Sequence, residues 1–146
     1  MKIYVKSFEE LTKDELYKIL QLRSEVFVVE QDCVYQDIDF KDQKALHIIG
    51  LKDSKIIAYT RLFKPGDYFK KASIGRVVVA VKERKFGYGH DIMKASIQAI
   101  KAYYNTTKIT ISAQKYLINF YNTHKFNQVG DEYLEDGIPH VRMDRD

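Results

Sequence analysis

A chain of 146 residues, 45% hydrophobic and 30% charged, suits one domain with one sizeable core, expected to span residues 1–146. No apolar run approaches the ~20 residues that cross a bilayer, and the opening MKIYVKSFEE lacks the apolar stretch of a signal peptide, so a cytoplasmic protein with no membrane partner is expected. A single cysteine, Cys33, excludes an internal disulfide and any cysteine-rich metal site. The net charge of +4 comes without the long basic stripe and stacking platforms of a nucleic-acid groove.

In chain order, Met1 to Ser7 alternates and predicts a short strand. Thr12 with Glu15 three residues later reads as a capping box. Leu16, Ile19, Leu20, Val26 and Phe27 then recur at helical spacing, which predicts a helix from Lys13 to Phe27. The stretch VVEQDCVYQDIDFKDQKA follows neither period and predicts a long loop with room for one short helix; long loops in compact domains are commonly functional. It is acidic, with Glu30, Asp32, Asp37, Asp39 and Asp42 against Lys41. LHIIGLKDSKIIAYTRLF reads as a hairpin about Asp53-Ser54. After a turn at Lys64-Pro65-Gly66-Asp67, SIGRVVVAV is apolar on both faces and reads as a central strand.

A helix from Gly87 to about Tyr104 comes next, with Ile92, Met93, Ser96, Ile97 and Ile100 on one face, and then a strand in KITISA. Strand, five-turn helix and strand make a crossover, hence a parallel pair. KYLINFYNTHKF predicts a shorter helix, and NQVGDEYLEDGIPHVRMDR two last strands. The expected class is α/β (α+β): a single mixed, twisted sheet of about six to seven strands with helices on both faces.

The junction KERKFGYG asks for a function. The first-turn amides of a helix have no intrahelical partners and favour negative charge. Glycines at 87 and 89 let a ligand approach the backbone, and Arg84, Lys85 and His90 add positive charge at the rim. That is a phosphate cradle, but neither the dinucleotide fingerprint nor a P-loop. A second feature is Arg76, which interrupts an apolar strand. A buried arginine needs a partner, and Asp39 or Glu30 could serve; alternatively Arg76 binds the carboxylate of an acceptor.

RKFGYG, placed after the fourth predicted strand, resembles the R/Q-x-x-G-x-G/A acyl-CoA signature of the GCN5-related N-acetyltransferases (GNAT). LRSEVFVVEQDCVYQDIDFKD, LHIIG, IGRVVV and YLEDGIPHVRM resemble segments of its ElaA-like branch. The resemblance implies the GNAT acyl-CoA N-acyltransferase fold, with acetyl-CoA as co-substrate. It implies that Arg84, Lys85, Phe86, Gly87, Tyr88, Gly89 and His90 surround the coenzyme A pyrophosphate. Val77, Val78 and Val79 would meet the pantetheine arm at a bulged edge. Gln114 would lie near the cofactor, and Tyr121 would protonate the leaving thiolate. The chain departs from the family at Lys125-Phe126, where Gly-Phe is usual, and at Leu117, where Ala is common.

Direct attack by an amine of a small molecule or peptide needs a group to take a proton from it. His47, His140, Glu30 and Asp39 are the candidates, with ordered water as the alternative. The five carboxylates of the loop would either attract a cationic acceptor or face solvent. The contrasting function is a non-catalytic acyl-CoA-binding or sensor protein on the same fold, which would keep Tyr121 packed away from the thioester. A monomer or a homodimer fits either reading.

Overall fold

A computed structural model describes all residues, 1–146. Seven strands form one sheet in the order β1-β2-β3-β4-β5-β7-β6: β1 (Lys2–Ser7), β2 (Leu46–Lys52), β3 (Lys55–Phe63), β4 (Ala72–Val79), β5 (Ile109–Gln114), β6 (Asn127–Glu135) and β7 (Ile138–Arg145). Three α-helices accompany them: α1 (Lys13–Arg23), α2 (Tyr88–Tyr104) and α3 (Ile118–Asn122). All pairs are antiparallel except β4 with β5. No helix is long and apolar enough to cross a membrane.

The sheet has a packed layer on each face. Ile19 and Leu22 of α1, with Val26 and Phe27 beyond it, close on Ile49, Tyr59 and Val78. On the other face Ile92, Met93, Ala99 and Ile100 of α2 pack with Ile48, Leu62, Ile74 and Ile111, and Tyr121 and Phe126 extend that cluster. Consecutive residues of β4 therefore serve different layers: Val78 faces α1, while Val77 and Val79 border the α2 cluster.

Thr12 caps α1 as its sequence requires: the Glu15 N–H donates to Thr12 Oγ1 at 3.0 Å, and the Thr12 N–H donates to Glu15 Oε1 at 2.9 Å. The helix does not stop at Phe27, however. From Ser24 to Glu30 it continues as a π-helix, with the Gln31 N–H reaching back to Val26 O at 3.2 Å and the Cys33 N–H to Val28 O at 3.1 Å. This wider turn carries Glu30 and Gln31 further than a loop at Val28 would. The β2–β3 hairpin closes on Asp53 and Ser54, both at positive φ, the backbone twist a two-residue hairpin favours. At the C-terminal end β7 returns beside β5 and leaves β6 at the sheet edge.

The acidic loop turns inward rather than to solvent. Arg23 meets Asp37 at 2.9 Å and Asp42 at 2.8 Å; Arg61 meets Asp39 at 2.6 Å and Asp42 at 2.9 Å. Arg76 lies 2.7 Å from Asp37, out of hydrogen-bond alignment, and 3.5 Å from Asp39. Three arginines and three aspartates thus neutralise one another beneath the loop. Arg76 finds Asp39, as expected, and Asp37; Glu30 is occupied elsewhere.

Candidate active site

The cleft begins where two strands separate. β4 pairs with β5 only at Ala72–Ile109 and Ser73–Thr110. Beyond them the β4 edge from Ile74 to Val79 has no strand partner on that side, which leaves backbone groups free for a ligand. A bulge adds to the opening. Between Tyr59 and Arg61 β3 advances two residues, while β4 advances three, from Val78 to Gly75. Arg76 absorbs the extra residue at φ 47°, a conformation that is strained for a non-glycine residue. Its contacts with Asp37 and Asp39 hold it there.

The gap is a cavity of about 500 Å³. One wall is β4 from Ile74 to Val79, together with Arg84 and Gly89. The opposite wall is Ile111, Ser112 and Gln114 of β5 with Leu117, Phe120 and Tyr121. Glu30, Gln31, Cys33 and Tyr35 close it from the π-helix and loop, and Glu135, Asp136, Ile138 and His140 from the last hairpin.

At one end stands the start of α2. Gly87 takes φ 75° and no side chain caps the helix; the His90 and Asp91 amides turn back to Gly87 O at 3.1 and 3.3 Å, so the amides ahead of them are the ones that suit an external acceptor. A Cβ on Gly89 would meet the Phe120 ring at 3.5 Å and Val79 at 3.9 Å. Glycine keeps this stretch of the wall clear. The side chains of Phe86 and Tyr88 turn away to Lys52 of the hairpin, whose Nζ lies 4.2 and 5.3 Å from their rings; Lys85 lies over Phe86. At these positions only backbone faces the ligand side.

Two residues expected at the cradle rim are engaged elsewhere. Arg84 donates to Val79 O at 3.0 Å and, with both terminal nitrogens, to the Glu30 carboxylate at 2.7 and 2.8 Å. Its charge is spent in a bridge between the end of β4 and the π-helix. Hydrogen bonding to Arg84 in turn lowers the Glu30 pKa, which makes Glu30 a poor base. The His90 ring packs on Phe120 and its Nδ1 lies 2.9 Å from His124 Nε2, beside the cavity rather than in it. Gln114 does line the cavity and exchanges two amide hydrogen bonds of 3.3 Å with Gln31.

Tyr121 is 5% exposed and borders the cavity. Burial raises its pKa above the ordinary tyrosine value, so it stays protonated. Its hydroxyl has no protein partner, yet it is not among the sealed unpartnered polar atoms, so it opens to the cleft. Across from it His140 Nδ1 lies 2.7 Å from Ile138 O, and Nε2 lies 3.3 Å from Glu135. The ring is thus held between a carbonyl oxygen on one nitrogen and a carboxylate on the other.

The other proposed bases are not available. His47 is fully buried, outside the cavity, with Nε2 2.9 Å from Asp42 O and Nδ1 2.6 Å from the Tyr59 hydroxyl. Burial lowers its pKa, so it is a neutral structural link. Burial alone would raise the Asp39 pKa, but Arg61 and Arg76 outweigh that and hold it well below the carboxylate range. Sequence reasoning missed Glu135, Gln31 and Arg61. Glu135 carries only its place before the Asp136-Gly137 turn as a signal, while Arg61 could have been found as a charge inside an apolar strand.

A sheet split at a parallel pair, a bulge on the fourth strand and a glycine-opened helix start together define an acyl-CoA N-acyltransferase fold. The family model for the acetyltransferase (GNAT) domain matches residues 9–146, and the chain belongs to the GNAT family, in its ElaA-like branch. It is 40% identical to Protein ElaA of Escherichia coli over 139 residues, 94% of this chain and 91% of that one. The crystal structure of E. coli ElaA superposes with a TM-score of 0.93 at 37% identity, over 99% of both chains. An acyl-CoA N-acyltransferase from Pseudomonas aeruginosa superposes with a TM-score of 0.94 at 39% identity, covering both chains fully. The uncharacterized N-acetyltransferase YjcF of Bacillus subtilis is 30% identical over the full length of both chains.

Proposed function

We propose that the protein is an N-acetyltransferase that moves an acetyl group from acetyl-CoA directly onto an amine of a small molecule or peptide. One observation carries the reading: a single cavity borders the uncapped helix start, the open β4 edge, the Tyr121 ring and the His140–Glu135 pair.

The residues fit the coenzyme. The N–H groups at Gly87 to Gly89 can donate to a diphosphate, and the free edge from Val77 to Val79 can pair with an amide-bearing arm as an added strand. Acetyl-CoA supplies an acyl group on a thiolate leaving group. Tyr121 keeps its proton at neutral pH and can give it to that sulfur. His140 takes a proton from the incoming amine, and the Glu135 carboxylate beside its Nε2 steadies the imidazolium that results. Glu135 and Asp136 favour a cationic acceptor in the same part of the cleft.

A purely binding role is disfavoured because Tyr121 opens to the cavity instead of being sealed in the core. The test is thiol release from acetyl-CoA with a panel of amines, run with wild type and Tyr121→Phe. Acceptor-dependent release that falls in the variant supports the enzyme; tight CoA binding with no turnover on any amine supports the sensor.

A further inference from the structure

One face of the sheet is only half covered. α1 closes on β2, β3 and β4 through Ile49, Tyr59 and Val78. Beyond them, on the same face, β5, β7 and β6 present polar side chains. Val141 and Met143 of β7 belong to the α2 cluster on the opposite face, so His140, Arg142 and Asp144 point to the uncovered one. These three stand beside Gln114, Ser112 and Thr110 of β5. His140, Gln114 and Ser112 line the cavity. Arg142 therefore sits one strand over from a cavity residue, about 7 Å along β7 from His140.

Of the six arginines, Arg23, Arg61, Arg76 and Arg84 are tied to carboxylates. Arg145 is bonded to His124 O at the far end of β7. Arg142 is exposed and has no acidic partner. The acids on its side of the sheet are engaged elsewhere. Asp144 pairs with Lys71 at 2.9 Å and accepts from Thr110 at 2.7 Å; Glu135 accepts from Ser112 at 3.2 Å and faces His140 Nε2 at 3.3 Å. Two aromatic rings place the guanidinium instead: its carbon lies 4.3 Å from the centre of Phe69 and 5.9 Å from that of Tyr133. Tyr133 is itself fixed, with its hydroxyl bonded to Ser112 and its ring stacked on His140 at 6.1 Å. One ring thus positions both the candidate base and a free cation. Aromatic contact engages the face of a guanidinium and leaves its in-plane N–H donors for an oxyanion.

We propose that Arg142 binds a carboxylate of the acceptor, and that the acceptor is an amino acid whose amine lies at His140 and Glu135. A site that is acidic at one end and cationic at the other suits a zwitterion and repels the far end of a polyamine. Arg76 is closed to this role because Asp37 and Asp39 hold it. The proposal rests on the acetyltransferase reading given above. Its test is acceptor kinetics with matched sets, each amino acid beside its primary amide and its decarboxylated amine, on wild type, Arg142→Gln and Arg142→Lys. Wild type should favour the free acid ~10–100-fold in kcat/KM, mainly through KM, as a charge-assisted hydrogen-bonded pair allows. The preference should collapse in Arg142→Gln and return in part in Arg142→Lys, which keeps the charge without the planar fork. Circular dichroism and CoA titration check that both variants fold. No preference for the acid in wild type, or a preference that Arg142→Gln leaves intact, overturns the proposal alone. An Arg142→Gln variant that slows acids, amides and amines by the same factor makes Arg142 a packing residue and overturns it too. If none of the amines is acetylated, the acetyltransferase reading fails, and this proposal with it.

Discussion

His47 and His140 occupy regions of opposite character on one sheet. Around His47 the charges are matched: both ring nitrogens are bonded, and Asp37, Asp39 and Asp42 interlock with Arg23, Arg61 and Arg76, leaving only the Nε atoms of Arg61 and Arg76 without a hydrogen bond. Around His140 the groups are held but not saturated. Nε2 faces a half-exposed carboxylate, and the Tyr121 hydroxyl on the same cavity has no protein partner. The same residue type is scaffold in one place and a candidate base in the other. What separates them is whether a cavity reaches the ring, and that follows from the splaying of β4 from β5. Arg76 joins the regions: the sealed network holds its strained backbone, and the strained backbone opens the cleft.

The largest effect should come from breaking the sealed side. Asp42→Asn strips a shared carboxylate from two buried arginines and should cost about 3–5 kcal/mol, read as a lower urea midpoint. A loss under 1 kcal/mol would show that the network is not closed to water. On the open side, Tyr121→Phe should lower kcat ~10²–10³-fold and leave CoA affinity within about threefold of wild type. A parallel loss of affinity would reassign Tyr121 to packing. His140→Gln should lower kcat ~10²-fold, the lower end of acid–base help, and leave CoA affinity unchanged. An unchanged kcat would transfer the base role to water. Gly89→Val should weaken CoA binding about tenfold by crowding Phe120 and the cradle, measured by calorimetry with the fold intact.

The smallest effect separates the regions by pH. Burial lowers the native pKa of His47, while for Asp39 and Asp42 burial pulls upward and the arginine partners outweigh it, so these are lowered as well. Each such group contributes stability above its unfolded value and loses it as pH falls through the native value. Stability should therefore begin to drop below the unfolded histidine value of ~6.5 and drop again below the unfolded aspartate value of ~3.9. His47→Gln should shrink the first drop and leave His124, whose pKa is also lowered, to supply the rest. An unchanged first drop would mean that His47 titrates freely.

Much of this division was legible in the chain. Thr12 and Glu15 marked the first helix, Asp53-Ser54 the hairpin, and the apolar run of β4 a central place. Arg76 stood out because a charge in such a run must be paired, and RKFGYG marked the start of α2. What escaped is long-range. A π-helix of seven residues is too short to show a hydropathy period of its own, so Glu30 and Gln31 read as loop. The Arg84–Glu30 bridge joins residues 54 apart, and nothing local announces it. The loop aspartates looked solvated because their three arginines lie on other elements. The return of β7 beside β5, which brings His140 opposite Gln114, is likewise a choice of partner that local sequence does not encode.

The most direct measurement is amide NMR of labelled protein during titration with coenzyme A. The amides of Gly87, Tyr88 and Gly89 should shift most, with Gln114 and the β4 edge following and the β1–β2 region unmoved. Binding that leaves those three amides in place, with shifts confined to another surface, would contradict the placement of the coenzyme at the head of α2.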